Sequence, residues 1–399
     1  MVSRLLLLLN SFLAVAAFPR PAEASASAGT GCHCFPGDSC WPSTADWDKF
    51  NATVSGRLIK TVPLAAPCHK SSFGDYDAGK CEQIRSTWSF PEPHIESSSS
   101  PLSHFWANNS CDPFSGPSDQ CITGALVQYS VKAASVDDYK KTIAFAQSKN
   151  IRLIIRNTGH DYIGRSTGAG ALALWTHFLK DQSVVDYKST AYNGKAIKVG
   201  AGVQGFEVEK FAQDKGLVVV SGNCPTVGLV GGYAQGGGHG ALATKFGLAA
   251  DQVLEWEVVT SCGQQLVATP EKNADLYWAL TGGGGGAYGA VVSATVRAYP
   301  DTYTSAANLT FTNQGVDDDA FYDSIKTYLG SLPDLVDTGA STIFLAVPGT
   351  FLVQPATAIG QTKEQLQKHM DPILNKLKQE GIKYGKTALV FRLHNPSSL

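Results

Sequence analysis

Two side chains in the middle third of the chain are nucleophiles set among glycines. His160 stands in Arg156-Asn157-Thr158-Gly159-His160-Asp161-Tyr162-Ile163-Gly164-Arg165-Ser166, and Cys224 in Ser221-Gly222-Asn223-Cys224-Pro225-Thr226-Val227-Gly228-Leu229-Val230-Gly231-Gly232. Imidazole and thiolate both react near neutral pH. Gly159 and Gly164 let the backbone turn and aim successive N–H groups inward, an anion-binding concavity suited to a pyrophosphate. A dinucleotide fits such a loop without a basic patch. For this loop alone, an ordinary glycine turn with a surface histidine explains as much. The second stretch continues to Gly236-Gly237-Gly238-His239-Gly240, too rich in glycine for a packed helix or strand, and implies close approach of backbone to a flat or extended ligand. Its interleaved Val227, Leu229, Val230 and Tyr233 favour a buried loop over a flexible linker.

The elements that must position these loops follow from periodicity. Ala125 to Val131 reads as a strand, Val136 to Lys149 as a helix with Val136, Tyr139, Ile143 and Ala146 on one face, and Ile151 to Ile155 as a buried strand feeding the His160 loop. Ala171 to Trp175, Ala196 to Val199 and Leu217 to Val220 resemble strands, and Val203 to Asp214 a helix ending near Gly216. From about Asp301 the texture changes. Ala307 to Phe311, Thr342 to Val347 and Thr387 to Phe391 read as strands, and Asp317 to Leu329 and Thr362 to Gln379 as amphipathic helices, the last despite Pro372.

Composition narrows the function classes. With 399 residues, 43% hydrophobic, the chain can bury a sizeable core. A net charge of -2 with 17% charged residues supplies no basic field, so nucleic acid is not an expected partner. Arg4, the apolar run Leu5 to Phe18 broken only by Asn10 and Ser11, and small residues beyond Pro19 and Pro21 have the layout of a secretory signal over residues 1–24. The run is shorter than the ~20 residues of a membrane span. Seven of nine cysteines fall in the first third, where helical periodicity is absent, so residues 25–116 read as a loop-rich segment stapled by disulfides within Cys32 to Cys121. Asn51, Asn108 and Asn308 open Asn-x-Ser/Thr triplets, acceptor sites for glycans in an exported chain. Gly168-Ala169-Gly170-Ala171-Leu172-Ala173 matches a nicotinamide-binding turn in letters but leads into a strand, the wrong context. No P-loop, no Gly-x-Ser-x-Gly elbow and no histidine pair at metal-ligand spacing is present.

Three blocks together resemble the FAD-linked oxidases with a PCMH-type flavin domain, in the vanillyl-alcohol oxidase superfamily and its berberine-bridge-enzyme-like branch, as a secreted fungal-type member. They are Arg156 to Ser166, Gly222 to Gly240 continuing into Phe246-Gly247-Leu248-Ala249-Ala250-Asp251, and Asp275-Leu276-Tyr277-Trp278-Ala279-Leu280-Thr281 running through five glycines to Val291-Val292. The resemblance implies an α+β fold: a two-subdomain FAD-binding domain over residues 117–301, then a partial substrate domain with an antiparallel sheet over residues 302–399. It implies FAD linked covalently through His160 to the 8α-methyl and through Cys224 to C6. It places Asn157, Thr158, Gly159, Asp161, Tyr162, Gly164, Ser166, Gly222, Thr226, Val227, Gly228, Gly231, Gly232, Gly236, Gly237 and Gly240 around the cofactor, with Val291 and Val292 near the adenine.

The activity so implied is oxidation of a small molecule (an alcohol, sugar or secondary metabolite) by hydride transfer to flavin N5, with dioxygen a candidate acceptor. A secreted flavin-binding protein without turnover is the alternative. From Cys224 to the triple glycine the chain is one residue longer than in the related plant enzymes, which displaces the position said to control oxygen access and leaves oxidase and dehydrogenase both open. Setting Cys224 aside leaves eight cysteines, enough for four disulfides, with Cys262 needing an N-terminal partner. Members of the family carry a longer substrate domain and a C-terminal return to the flavin domain. The resemblance therefore implies a chain that stops before that domain is complete; no catalytic base or metal ligand is named, and oligomeric state is left open.

Overall fold

The computed structural model describes residues 32–392, so the expected signal segment lies outside the described residues. Contacts divide the chain into Met1–His33 and Cys34–Leu399, and among the described residues every helix and strand falls in the second unit.

The cysteine-rich segment is less loop-like than its composition predicts. Helix α1 (Thr44–Thr53) opens on a capping box in which Ser43 and Asp46 satisfy each other's backbone amides. It buries Trp47 and Phe50, which stack on Tyr129 and Phe145 with ring centroids 4.0 Å apart in each pair. Two aromatic anchors one turn apart hold this helix, too few apolar positions to register as a period. After β1 (Leu58–Lys60) come α2 (Ala78–Thr87) and α3 (Pro91–Glu96). Disulfides join Cys34 to Cys40, Cys68 to Cys81 and Cys111 to Cys121.

The first sheet has the order β1-β2-β4-β3, from β2 (Tyr129–Lys132), β3 (Leu153–Arg156) and β4 (Leu172–Trp175). β4 runs parallel to β2 and β3, while β1 adds an antiparallel edge. Helix α4 (Val136–Ser148) makes the crossover from β2 to β3, capped by Ser135 and Asp138. β2 begins later than the strand expected from Ala125, where Leu126 N–H closes a turn onto Thr123 O.

The second sheet is antiparallel, with β5 (Gln182–Lys188), β6 (Asn193–Gly200), β8 (Val253–Val259), β9 (Gln265–Ala268) and β10 (Ala290–Arg297) in the order β5-β6-β10-β8-β9. Helix α5 (Gly205–Gln213), the short α6 (Ala243–Phe246) and α7 (Ala274–Leu280) flank it, and β7 (Leu217–Val218) pairs with β11 (Tyr299–Pro300). β10 joins the two sheets: Val291 packs in the second core, whereas Val292 packs with Tyr139, Ile143 and Leu174 of the first. The fourth disulfide expected at Cys262 is absent among the described residues. That thiol is exposed in the tight turn closed by Gly263 N–H on Thr260 O, which turns it to solvent.

The third sheet, also antiparallel, has the order β13-β14-β12-β15, from β12 (Tyr303–Thr312), β13 (Ser341–Val347), β14 (Thr350–Ile359) and β15 (Tyr384–Arg392). Helices α8 (Asp318–Gly330) and α10 (Lys363–Gln379) bury Phe321, Tyr328, Ile373 and Leu377 against Leu309, Phe311, Phe351 and Val353, with α9 (Leu332–Val336) between them in sequence. The fold is thus α+β: two subdomains followed by an antiparallel sheet backed by helices. Among the described residues no helix is long and apolar enough to cross a membrane.

Candidate functional site

The His160 loop leaves the end of β3 and is fixed from beneath. Arg156, fully buried, has no carboxylate partner among the described residues; its guanidinium instead donates to the carbonyls of His94 (2.8 Å), Ser97 (2.9 Å) and Ser100 (2.6 Å). Burial lowers its pKa to about 9; the carbonyls satisfy its Nη2, while its Nε is buried without a partner among the described residues. Gly159, at φ +85°, passes directly over this guanidinium: a Cβ there would lie 2.9 Å from Nη1. Asp161 then gathers the amides of Ile163, Arg165 and Ser166, which shapes the turn, while Tyr162 and Ile163 stand exposed and Gly164 passes against the Trp106 ring.

Asn157 turns away from the opening. Its Nδ2 donates to Thr176 Oγ1 at 2.9 Å and Ala201 O at 2.7 Å, and Trp175 Nε1 donates to its carbonyl. Thr158 and Ser166 are buried. The imidazole of His160 remains available, half-buried, with burial pushing its pKa down to about 4. It is therefore neutral at pH 7, the nucleophilic form.

The Cys224 loop comes from the other subdomain and is pinned to the start of α5. Gly205 N–H donates to Val227 O and Phe206 N–H to Pro225 O, both at 2.9 Å. Gln204 Nε2 donates to Thr226 O at 2.9 Å, while Glu207 accepts from Gln204 N–H and from Lys180. Thr226 so held meets both nucleophiles. Its Oγ1 lies 2.8 Å from His160 Nε2 and 3.6 Å from Cys224 Sγ, and the thiol is exposed.

The glycines divide into two sets. Gly228 and Gly231 lie over Asn157, Gly222 lies against Tyr233, and Gly240 sits on the carbonyl of Ser221; a side chain at these positions would meet protein. Among the described residues, nothing lies within 4 Å of a Cβ at Gly232, Gly236 or Gly237, and Gly285 approaches only the Cα of Gly232. Gly237, at φ +107°, needs glycine for its backbone, whereas neither packing nor backbone demands it at Gly232 and Gly236. Bare backbone along an open surface, next to a neutral imidazole and an exposed thiol, is the surface a flat, extended cofactor such as FAD fits, and Asn157 Oδ1 remains a buried acceptor without a partner beneath it.

Val291 and Val292 are core residues, linked to the site through backbone: Ala201 N–H donates to Val292 O, and Ala201 O accepts from Asn157. Between Leu229 and Tyr233 the backbone forms a π-turn, with Tyr233 N–H on Gly228 O.

Gln204, Gln235 and Glu209 were not among the expected site residues. Buried Gln235 ties the two glycine runs together, donating to Val230 O and accepting from Gly286 N–H, while its carbonyl accepts from Gly284 N–H. Glu209 accepts from the Ser221 hydroxyl, and burial raises its pKa. Only Gln235 carried a sequence signal, as a polar residue inside a buried glycine-rich run.

A family described as an FAD binding domain matches residues 127–269. The chain is 49% identical over 371 residues to the FAD-linked oxidoreductase sor8 of Hypocrea jecorina, covering 92% of this chain and 64% of that protein. It is 46% identical over 284 residues to the FAD-linked oxidoreductase sthB of Phaeosphaeria nodorum, covering 71% of this chain and 90% of that protein. The crystal structure of the VAO-type flavoprotein MtVAO615 from Myceliophthora thermophila C1 matches with a TM-score of 0.88 at 42% identity, over 91% of this chain and 66% of that one. The chain thus spans 64% of the length of sor8.

Proposed function

As this chain belongs to the FAD-linked oxidoreductases of the vanillyl-alcohol oxidase type, we propose that it holds FAD covalently through His160 and Cys224 and oxidises a small molecule, an alcohol, sugar or secondary metabolite. The observation that carries this reading is the meeting of two nucleophiles from different subdomains at one hydroxyl, beside a strip of bare glycine backbone. FAD bound there supplies a hydride acceptor for the substrate carbon, with dioxygen as the proposed final acceptor.

The chain's own residues do the rest. Thr226 occupies Nε2 of His160 and leaves Nδ1 as the attaching nitrogen. The open backbone at Gly232 and Gly236 would leave room for a flat ring system, and the loop ordered by Asp161, next to His160 in sequence, would help to hold the cofactor. Three disulfides and the apolar N-terminal run support export of the protein.

Purification followed by acid precipitation tests the cofactor: the pellet is expected to stay yellow. Anaerobic mixing with a panel of alcohols and sugars tests the activity, through bleaching of the flavin absorbance. A colourless protein that gains no flavin on incubation with FAD would refute the reading. A yellow protein that no substrate bleaches would favour passive flavin binding.

A further inference from the structure

We infer that Thr226 is a positioning residue that prepares both attachment sites at once, through a single hydrogen-bond chain from His160 Nε2 through Thr226 Oγ1 to Cys224 Sγ. The inference rests on the proposed covalent binding of FAD.

A threonine hydroxyl has one proton to give and lone pairs to accept with. It therefore cannot donate to both neighbours, and the chain has a direction. When Nε2–H donates to Oγ1 and Oγ1–H donates to the sulfur, the imidazole lone pair sits on Nδ1 and the sulfur accepts a hydrogen bond, the arrangement that favours attack by both atoms. Both nucleophiles are then competent. In the opposite direction the thiol keeps its proton and donates to Oγ1, Oγ1–H donates to Nε2, and the imidazole proton is on Nδ1; neither group can attack. The neutral imidazole that both states require is the form burial favours at this position.

Each attachment then replaces one C–H bond of the flavin, at the 8α-methyl for Nδ1 and at C6 for Sγ. The hydrogen of that bond leaves as a proton, the new C–N or C–S bond forms, and the two electrons released reduce the flavin. Dioxygen, as a two-electron acceptor, removes them before the second bond is made. Thr226 can hold this geometry because its backbone is fixed independently of either nucleophile, by Gln204 on its carbonyl and by the Gly205 and Phe206 amides on its neighbours. Its hydroxyl is the shared element; its methyl is not.

The test compares full-length wild type, Thr226→Val, Thr226→Ala and Thr226→Ser, made in one secreting host. Tryptic peptides containing His160 and Cys224 are scored for flavin mass, and acid-released flavin is measured in parallel. Wild type and Thr226→Ser are expected to carry both links to within about twofold, while Val and Ala lower flavin on both peptides at least fivefold and release flavin with acid. Modification of both peptides in Thr226→Val at the wild-type level would overturn this inference and leave covalent binding intact. Loss in Thr226→Ser equal to that in Val would overturn it as well, since packing rather than the hydroxyl would then be the cause. Flavin held by wild type without either link would refute covalent attachment and this inference together. Should Val fail to fold, the contrast between Ala and Ser separates hydroxyl from packing in the same way.

Discussion

His160 Nε2 and Thr226 Oγ1 lie 2.8 Å apart although 66 residues separate them in the chain. The contact joins a loop that leaves the parallel sheet to one anchored on α5 of the antiparallel sheet, so it forms only when the two subdomains are assembled. It also selects between the two nitrogens of the ring.

The linkage in the flavin peptide is therefore expected at Nδ1 of His160. Replacing Cys224 with alanine is expected to leave a yellow protein attached through His160 alone, and replacing both residues to give flavin released by acid. Mass mapping and NMR of the isolated flavin peptide check this; an Nε2 linkage would contradict the observed contact.

In flavin-free protein, His160 should make stability fall on acidification. Its pKa drops from 6.5 in the unfolded chain to about 4 in the folded one, so between those values the unfolded state binds more protons and stability rises with pH. His177 behaves in the same direction. His160→Gln is expected to recover on the order of 1–2 kcal/mol of the loss between pH 6.5 and 4, read from urea unfolding midpoints at each pH. An unchanged slope would show that His160 is not held neutral.

The two glycine sets predict opposite phenotypes. Gly231→Ala would drive a methyl group into Asn157 and the Ala201 carbonyl, and is expected to cost about 1–3 kcal/mol of stability through overpacking. At Gly232→Ala the methyl meets nothing within 4 Å among the described residues; stability should stay within about 0.5 kcal/mol, with flavin retention reduced because the methyl stands on the open backbone. Thermal unfolding and flavin content of the two variants separate the roles.

Arg156→Leu should destabilise the chain by about 3 kcal/mol or more, since it strips hydrogen bonds from three carbonyls while keeping much of the side-chain bulk. Limited proteolysis is expected to cut first within residues 94–100, the segment those bonds tie beneath the His160 loop. Wild-type resistance there would show that the guanidinium is dispensable.

Local rules made much of this protein readable in its sequence. Helix α4, with apolar positions at helical spacing and Ser135 ahead of it, lies within one residue of the expected span, and α8 and α10 are as close. The nucleophiles in their glycine-rich loops were equally visible, because residue type and backbone freedom are properties of the chain itself. Other features depended on distant segments. Helix α1 exists because Tyr129 and Phe145 receive its two aromatic rings. Whether Cys262 finds a disulfide partner depends on which other cysteine the fold brings near it, and among the described residues it is free. Which glycines pack on Asn157 and which remain bare, and that Thr226 bonds with both His160 and Cys224, was settled only when the two subdomains docked. Periodicity and backbone freedom act over a few residues, whereas the partner of a side chain is whatever the assembled fold brings within about 3 Å.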